Sequence, residues 1–107
     1  MEIKQYEIVL VNLDPTIGSE IRKIRPCVVI SPNEMNKYLQ TIVIAPLTSS
    51  LKPYPTRVDI RQTEVTGWVA LDQIRAIDRT RLVKKIGKLT PVEIESVKAV
   101  IMETYVE

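Results

Sequence analysis

Two apolar runs rich in β-branched residues occupy the first third of the chain, residues 6–13 (Tyr-Glu-Ile-Val-Leu-Val-Asn-Leu) and 27–30 (Cys-Val-Val-Ile). Each stops at an X-Pro pair, so both predict strands. Between them lies a polar, basic loop that runs from Asp14-Pro15 through Gly18-Ser19-Glu20 to Arg25-Pro26. Ser31-Pro32 predicts a short helical turn with Ser31 as N-cap and Pro32 at the first position. A third strand is predicted over 41–47, ending in Thr48-Ser49-Ser50, and a proline-rich loop follows at 52–55. Alternation in 57–61 predicts a half-buried strand with Val58 and Ile60 inward. Further short strands are predicted over 68–71 after Gly67, over 73–78, and over 82–89. Six or so short strands, each bounded by turn residues, indicate a mainly β fold, a small barrel or a compressed sandwich, and not a parallel α/β sheet.

The end of the chain changes period. Thr90, Pro91 and Glu93 form a Thr-x-x-Glu capping box with Pro at the first helical position. Ile94, Val97, Ile101 and Tyr105 then share one face at helical spacing, so a helix is expected to lie across the sheet. Trp68, within an apolar run, is expected in the core. Tyr54, between two prolines in a loop, is the better candidate for stacking on a base.

At 107 residues, without repeats or linkers, the chain is expected to form one domain spanning 1–107. No apolar stretch approaches the roughly 18 residues of a membrane span, and the N-terminus has no cationic start followed by an apolar core, so a cytoplasmic protein is expected. Histidine is absent and Cys27 is the single cysteine. Neither a disulfide within the chain nor a His/Cys metal site can be assembled, and Cys27 reads as a small apolar filler of its strand. No metal or other cofactor is expected. Net charge is only +2, but six basic residues (Arg75, Arg79, Arg81, Lys84, Lys85, Lys88) against one acid, Asp78, fall between positions 75 and 88. That segregation suits a polyanion such as RNA, and equally a solvated strand face.

Four segments together carry a resemblance: Val-Asn-Leu-Asp-Pro-Thr-Ile-Gly-Ser-Glu at 11–20, Arg-Pro-Cys-Val-Val-Ile-Ser at 25–31, Ala-Pro-Leu-Thr-Ser-Ser at 45–50 and Asp-Gln-Ile-Arg-Ala-Ile-Asp-Arg at 72–79. In this order and at these separations the chain resembles the MazF/PemK family of toxin endoribonucleases, the mRNA interferases of bacterial toxin–antitoxin pairs. The resemblance implies an SH3-like small β-barrel with a C-terminal α-helix, a homodimer, a cognate antitoxin, and metal-independent cleavage of single-stranded RNA. It assigns Arg25, Thr48 and Glu20 as catalytic, with Ser19 and Gln73 in the same pocket. The basic residues Arg75, Arg79 and Lys84 are expected to bind the substrate. At the first strand, where family members often carry Gly-Asp and an aromatic residue, this chain has Tyr6-Glu7 and Val9.

RNA cleavage without a metal uses the 2′-hydroxyl as nucleophile and needs a proton acceptor, a proton donor for the departing oxygen, and donors for the charged phosphorane. A guanidinium has a pKa above about 12 and donates protons poorly, so Arg25 fits charge stabilisation. Glu20 fits the base, and Thr48 a hydroxyl donor to a nonbridging oxygen. The plain alternatives are that Arg25 pairs on the surface and that Thr48 merely ends a strand. Two other functions compete, a toxin of the same fold that binds gyrase without cutting RNA, and a noncatalytic barrel that binds RNA or a peptide.

Overall fold

A computed structural model describes residues 1–21, 23–50 and 54–106. Lys52 and Pro53 of the proline-rich loop lie outside the described residues. Among the described residues seven strands form, β1 (Glu7–Asn12), β2 (Ile24–Val29), β3 (Thr41–Thr48), β4 (Arg57–Arg61), β5 (Thr66–Ala70), β6 (Arg75–Asp78) and β7 (Leu82–Lys88), with helices α1 (Asn33–Tyr38) and α2 (Pro91–Ile101). The strand order is β4-β5-β3-β2-β1-β7, and β6 pairs with β3 off this path. All pairings are antiparallel. The mainly β class with a C-terminal helix is as expected, but no ladder closes β4 onto β7 among the described residues. Instead the Gln62 amide crosses that opening, donating to the Lys88 carbonyl at 2.9 Å and to Glu93 Oε1 at 2.7 Å.

Continuous apolar runs arise because β1, β2 and β3 are buried on both faces. Ile8, Val28, Ala45 and Leu47 point into one core with Val58, Ile60, Val69 and, from α2, Val97. Their neighbours Val9, Val11, Cys27, Val29, Ile42 and Ile44 point into a second core with Ile3, Leu13 and Ile77. Each fully buried aliphatic side chain of this kind contributes about 1.5–3 kcal/mol. Burial of Cys27 disfavours its thiolate, and a lesser opposing pull from Arg75 leaves the thiol pushed up to about 12. It is the inert filler that its strand implies.

β3 is the central strand. One edge pairs with β2, while the other pairs first with β6 over Thr41–Ile44 and then with β5 at Leu47 and Thr48. Pro46, which has no N–H to give, falls in the gap between those two ladders. β5 reaches β3 at Gly67 (φ +149°), where a Cβ would stand 3.1 Å from the Thr48 carbonyl oxygen. Only glycine permits that approach without displacement.

The capping box of α2 is complete. The Glu93 N–H donates to Thr90 Oγ1 at 3.2 Å and the Thr90 N–H to Glu93 Oε1 at 2.9 Å. A wider turn, Met102–Val106, continues the helix, and from it the Tyr105 hydroxyl donates to the Leu71 carbonyl. Two local expectations fail. Ser31 does not cap α1, whose N-cap is Pro32 with no side-chain bond. The Ser31 hydroxyl is drawn inward, donating to Asn36 Oδ1 and accepting from the Val43 N–H at 3.1 Å, so tertiary partners outcompete the helix end. Trp68 is half-buried and outside both cores, because strand alternation turns Val69 inward and places Trp68 beside Thr48 and Asp59 on the other face.

Candidate active site

The polar loop between β1 and β2 is shaped by its own side chains and by two distant ones. Gly18 takes φ +62°, a turn conformation that side chains disfavour. Glu20 Oε1 accepts from the Ile17 N–H at 2.6 Å, and Asp14 Oδ1 accepts from the Lys23 N–H at 3.0 Å. From β7's approach, Arg81 Nη1 donates to the Asn12 and Asp14 carbonyls at 3.2 and 2.6 Å. From the turn after β5, Gln73 Oε1 accepts from the Ile21 N–H at 2.9 Å. The loop is therefore clamped at its base by Arg81 and at its far limb by Gln73.

Two adjoining clefts open under it. The first, about 380 Å³, is lined among others by Leu13, Ser19, Glu20, Pro46, Gln73 and Arg75. The second, about 370 Å³, is lined by Thr48, Ser50, Tyr54 and Arg57, and shares with the first the wall of Ser19, Ile21, Asp72 and Gln73. Arg25 stands on β2, between β1, which leads to Leu13, and β3, which carries Pro46 and Thr48. On β1 it faces Val11, and the β2–β3 register, Cys27 against Pro46, carried two residues on sets Arg25 opposite Thr48. Strand alternation places Arg25 on the face of Cys27 and Thr48 on the face of Pro46. Thr48 is buried, with its Oγ1 accepting from the Ser50 N–H at 3.1 Å.

Ser19 and Gln73 thus belong to both clefts, Glu20 and Arg75 line the first, and Thr48 the second. Arg75 also donates weakly to the Leu13 carbonyl at 3.4 Å. Arg79 is elsewhere. Its guanidinium donates to the carbonyls of Leu39 at 2.9 Å and Met1 at 3.4 Å, in a separate cleft against the N-terminal residues. Lys84 sits exposed on β7, at the level of Leu10 and Pro26, and the register gives it their face of the sheet and not that of Arg25. Part of the basic stretch is therefore clamp: Arg79 and Arg81 hold backbone carbonyls, Lys85 pairs with Glu7 at 3.6 Å, and Lys84 and Lys88 of β7 carry its outward charge.

Sequence reasoning passed over three contributors. Gly67 lets β5 close on Thr48, Arg81 holds the loop base, and Arg57 forms a two-pronged bond with Asp72, Nε to Oδ1 at 2.8 Å and Nη2 to Oδ2 at 3.1 Å. Burial raises the Asp72 carboxyl, but the bonds from Arg57 and Thr56 outweigh it and hold the group below its ordinary value of 3.8. The signal available was an Arg in an alternating strand and an acid beside Gln73, which fixes no pairing by itself. Among the described residues, no three acidic or cysteine side chains gather as a metal would require.

Comparison with known proteins finds relatives over nearly the whole chain. Residues 4–105 match the PemK-like, MazF-like toxins of type II toxin–antitoxin systems. The chain is 31% identical over 101 residues to the endoribonuclease MazF of Staphylococcus saprophyticus, covering 89% of this chain and 84% of that protein. Its fold superposes on the crystal structure of MazF from Deinococcus radiodurans with a TM-score of 0.90 and 25% identity, across 100% of this chain and 99% of the other. A MazE-MazF crystal structure from the same organism matches with a TM-score of 0.81 at 25% identity, covering 96% and 95%. The chain belongs to the family of PemK-like, MazF-like toxins of type II toxin–antitoxin systems.

Proposed function

We propose that this protein is an endoribonuclease that cuts single-stranded RNA without a metal, and that Arg25 and Thr48 act on one phosphodiester. The observation that supports it most is the β2–β3 register, Cys27 against Pro46, which carried two residues beyond that last pair sets Arg25 opposite Thr48, beneath a loop that brings Ser19 over both clefts and Glu20 over the first. In this reading the 2′-oxygen attacks phosphorus, its proton passes to Glu20, and the bond to the 5′-oxygen breaks as that oxygen takes a proton from water. The products are a 2′,3′-cyclic phosphate, or a 3′-phosphate after hydrolysis, and a 5′-hydroxyl. Arg25 supplies a planar set of donors to the phosphorane oxygens, and the Thr48 hydroxyl a further donor. Glu20 must release the Ile17 N–H or use its second oxygen. Arg75 in the first cleft fits a flanking phosphate.

The remainder of the reading takes its support from the family. One domain spanning 1–107 works in the cytoplasm as a homodimer and is held in check by a cognate antitoxin. No helix among the described residues is long and apolar enough to cross a membrane. Arg79 and Lys84 are left outside the substrate site, Arg79 as a backbone clamp and Lys84 as part of a basic rim.

Incubation with a long RNA in EDTA, followed by mapping of the ends, is expected to give discrete cuts with 5′-hydroxyl termini. Intact RNA would contradict the proposal and return attention to a gyrase-binding or noncatalytic role. Arg25→Ala is expected to abolish cutting while leaving the thermal unfolding transition in place.

A further inference from the structure

We infer that the second cleft is a nucleobase pocket, in which the Tyr54 ring stacks on a base beside the scissile phosphate and the Arg57–Asp72 pair holds that ring in position. The inference rests on the endoribonuclease reading above and adds to it the part of the substrate that this cleft recognises. Tyr54 is 50% exposed, and its ring lies in the same cleft as Thr48. The Arg57 guanidinium sits over the ring, 5.2 Å from its centroid. That guanidinium is itself fixed, for its side chain is only 7% exposed and both of its bonds to Asp72 are short. Thr56 Oγ1 donates to the same carboxylate at 3.0 Å, and the Arg57 N–H donates to the Tyr54 carbonyl at 3.1 Å. An aromatic ring in a loop is thereby supported from beneath and at its backbone.

Charge decides between a base and a phosphate as the occupant. In the second cleft the cation, Arg57, is paired with Asp72, an acid that borders both clefts, so the polar groups left to meet a ligand there are neutral. What the second cleft offers is an aromatic face, the hydroxyls of Ser19, Thr48 and Ser50, and the amide of Gln73. Because the Gln73 oxygen is taken by the Ile21 N–H, its NH₂ group is the part left to donate, which suits a base edge that carries acceptors. The volume, about 370 Å³, lies within the range of small-ligand sites.

The test is cleavage of a random single-stranded RNA pool by wild type, Tyr54→Phe and Tyr54→Ala, with sequencing of the ends and steady-state kinetics on one cut sequence. Tyr54→Phe, which keeps the ring, is expected to retain most of the substrate affinity and sequence preference that Tyr54→Ala loses. Tyr54→Ala is expected to raise KM about 5- to 100-fold, the range of one lost base–aromatic stack, with a smaller change in kcat, and to relax the preference at one position next to the cut. Unchanged KM and preference in Tyr54→Ala, or a fall in kcat alone at every sequence, overturns the pocket while the nuclease reading stands. A pool left intact by the wild-type protein overturns the nuclease reading and this inference with it.

Discussion

Helix α2 and the loop between β1 and β2 are built on opposite plans. α2 is specified by residues close together in the sequence: a threonine and a glutamate that cap its start, a proline at its first position, and an apolar face led by Val97. The loop takes its shape from residues far along the chain, Gln73 at its far limb and Arg81 at its base. The helix covers a core and carries stability. The loop carries Ser19 and Glu20 and, on the proposed reading, function. Changes in one region should therefore move melting temperature, and changes in the other should move rate.

The largest effect expected is on the functional side. Arg25→Ala removes a preorganised donor and should lower the cleavage rate at least 10²- to 10³-fold, with circular dichroism melting nearly unchanged. On the structural side, Val97→Ala empties part of the first core and should cost about 2 kcal/mol in urea unfolding, with specific activity of the folded fraction retained. Gln73→Ala releases the Ile21 N–H and should slow cleavage about tenfold, equivalent to about 1.4 kcal/mol, again with little change in melting. Thr90→Ala breaks the cap, costs about 1 kcal/mol, and should leave cleavage untouched. A rate loss in Thr90→Ala equal to that in Gln73→Ala would erase the distinction.

The smallest effect is in the pH dependence of stability. Asp72 is held below 3.8 in the fold, burial notwithstanding, by the bonds from Arg57 and Thr56. A depressed carboxyl stabilises the native state fully above the unfolded value and loses that contribution as pH falls through the folded one. Asp72→Asn should therefore lower the melting temperature at neutral pH and flatten its decline below about pH 4, measured by thermal unfolding across the acid range. An unchanged acid limb would show that the pair contributes nothing.

How much of this was legible in the sequence follows the same division. β4 runs over the predicted 57–61 with Val58 and Ile60 buried, and the capping box stands as written, because period and capping are local rules. β2 begins three residues earlier than its apolar run. Ile24, Arg25 and Pro26 look like loop but pair with β1, and Pro26 is tolerated where pairing with β3 has yet to start. Trp68 was misplaced because an apolar run conceals which of its members faces the core. The resemblance located Arg25 and Thr48, yet the supporting residues are tertiary. No spacing rule joins Arg57 to Asp72 across 15 positions, or Gln73 to Ile21 across 52. Basic character alone grouped Arg79 with the substrate, whereas its carbonyl partners assign it to a clamp at the N-terminal segment.

The most direct test of the central claim is a double-mutant cycle on kcat, with Arg25→Ala, Thr48→Val and the pair combined, on one cleaved RNA in EDTA. If both groups act on the same phosphate, each single variant should lose rate and the double variant should be little worse than Arg25→Ala alone. Losses that multiply in full, or a Thr48→Val enzyme with wild-type kcat, would contradict it.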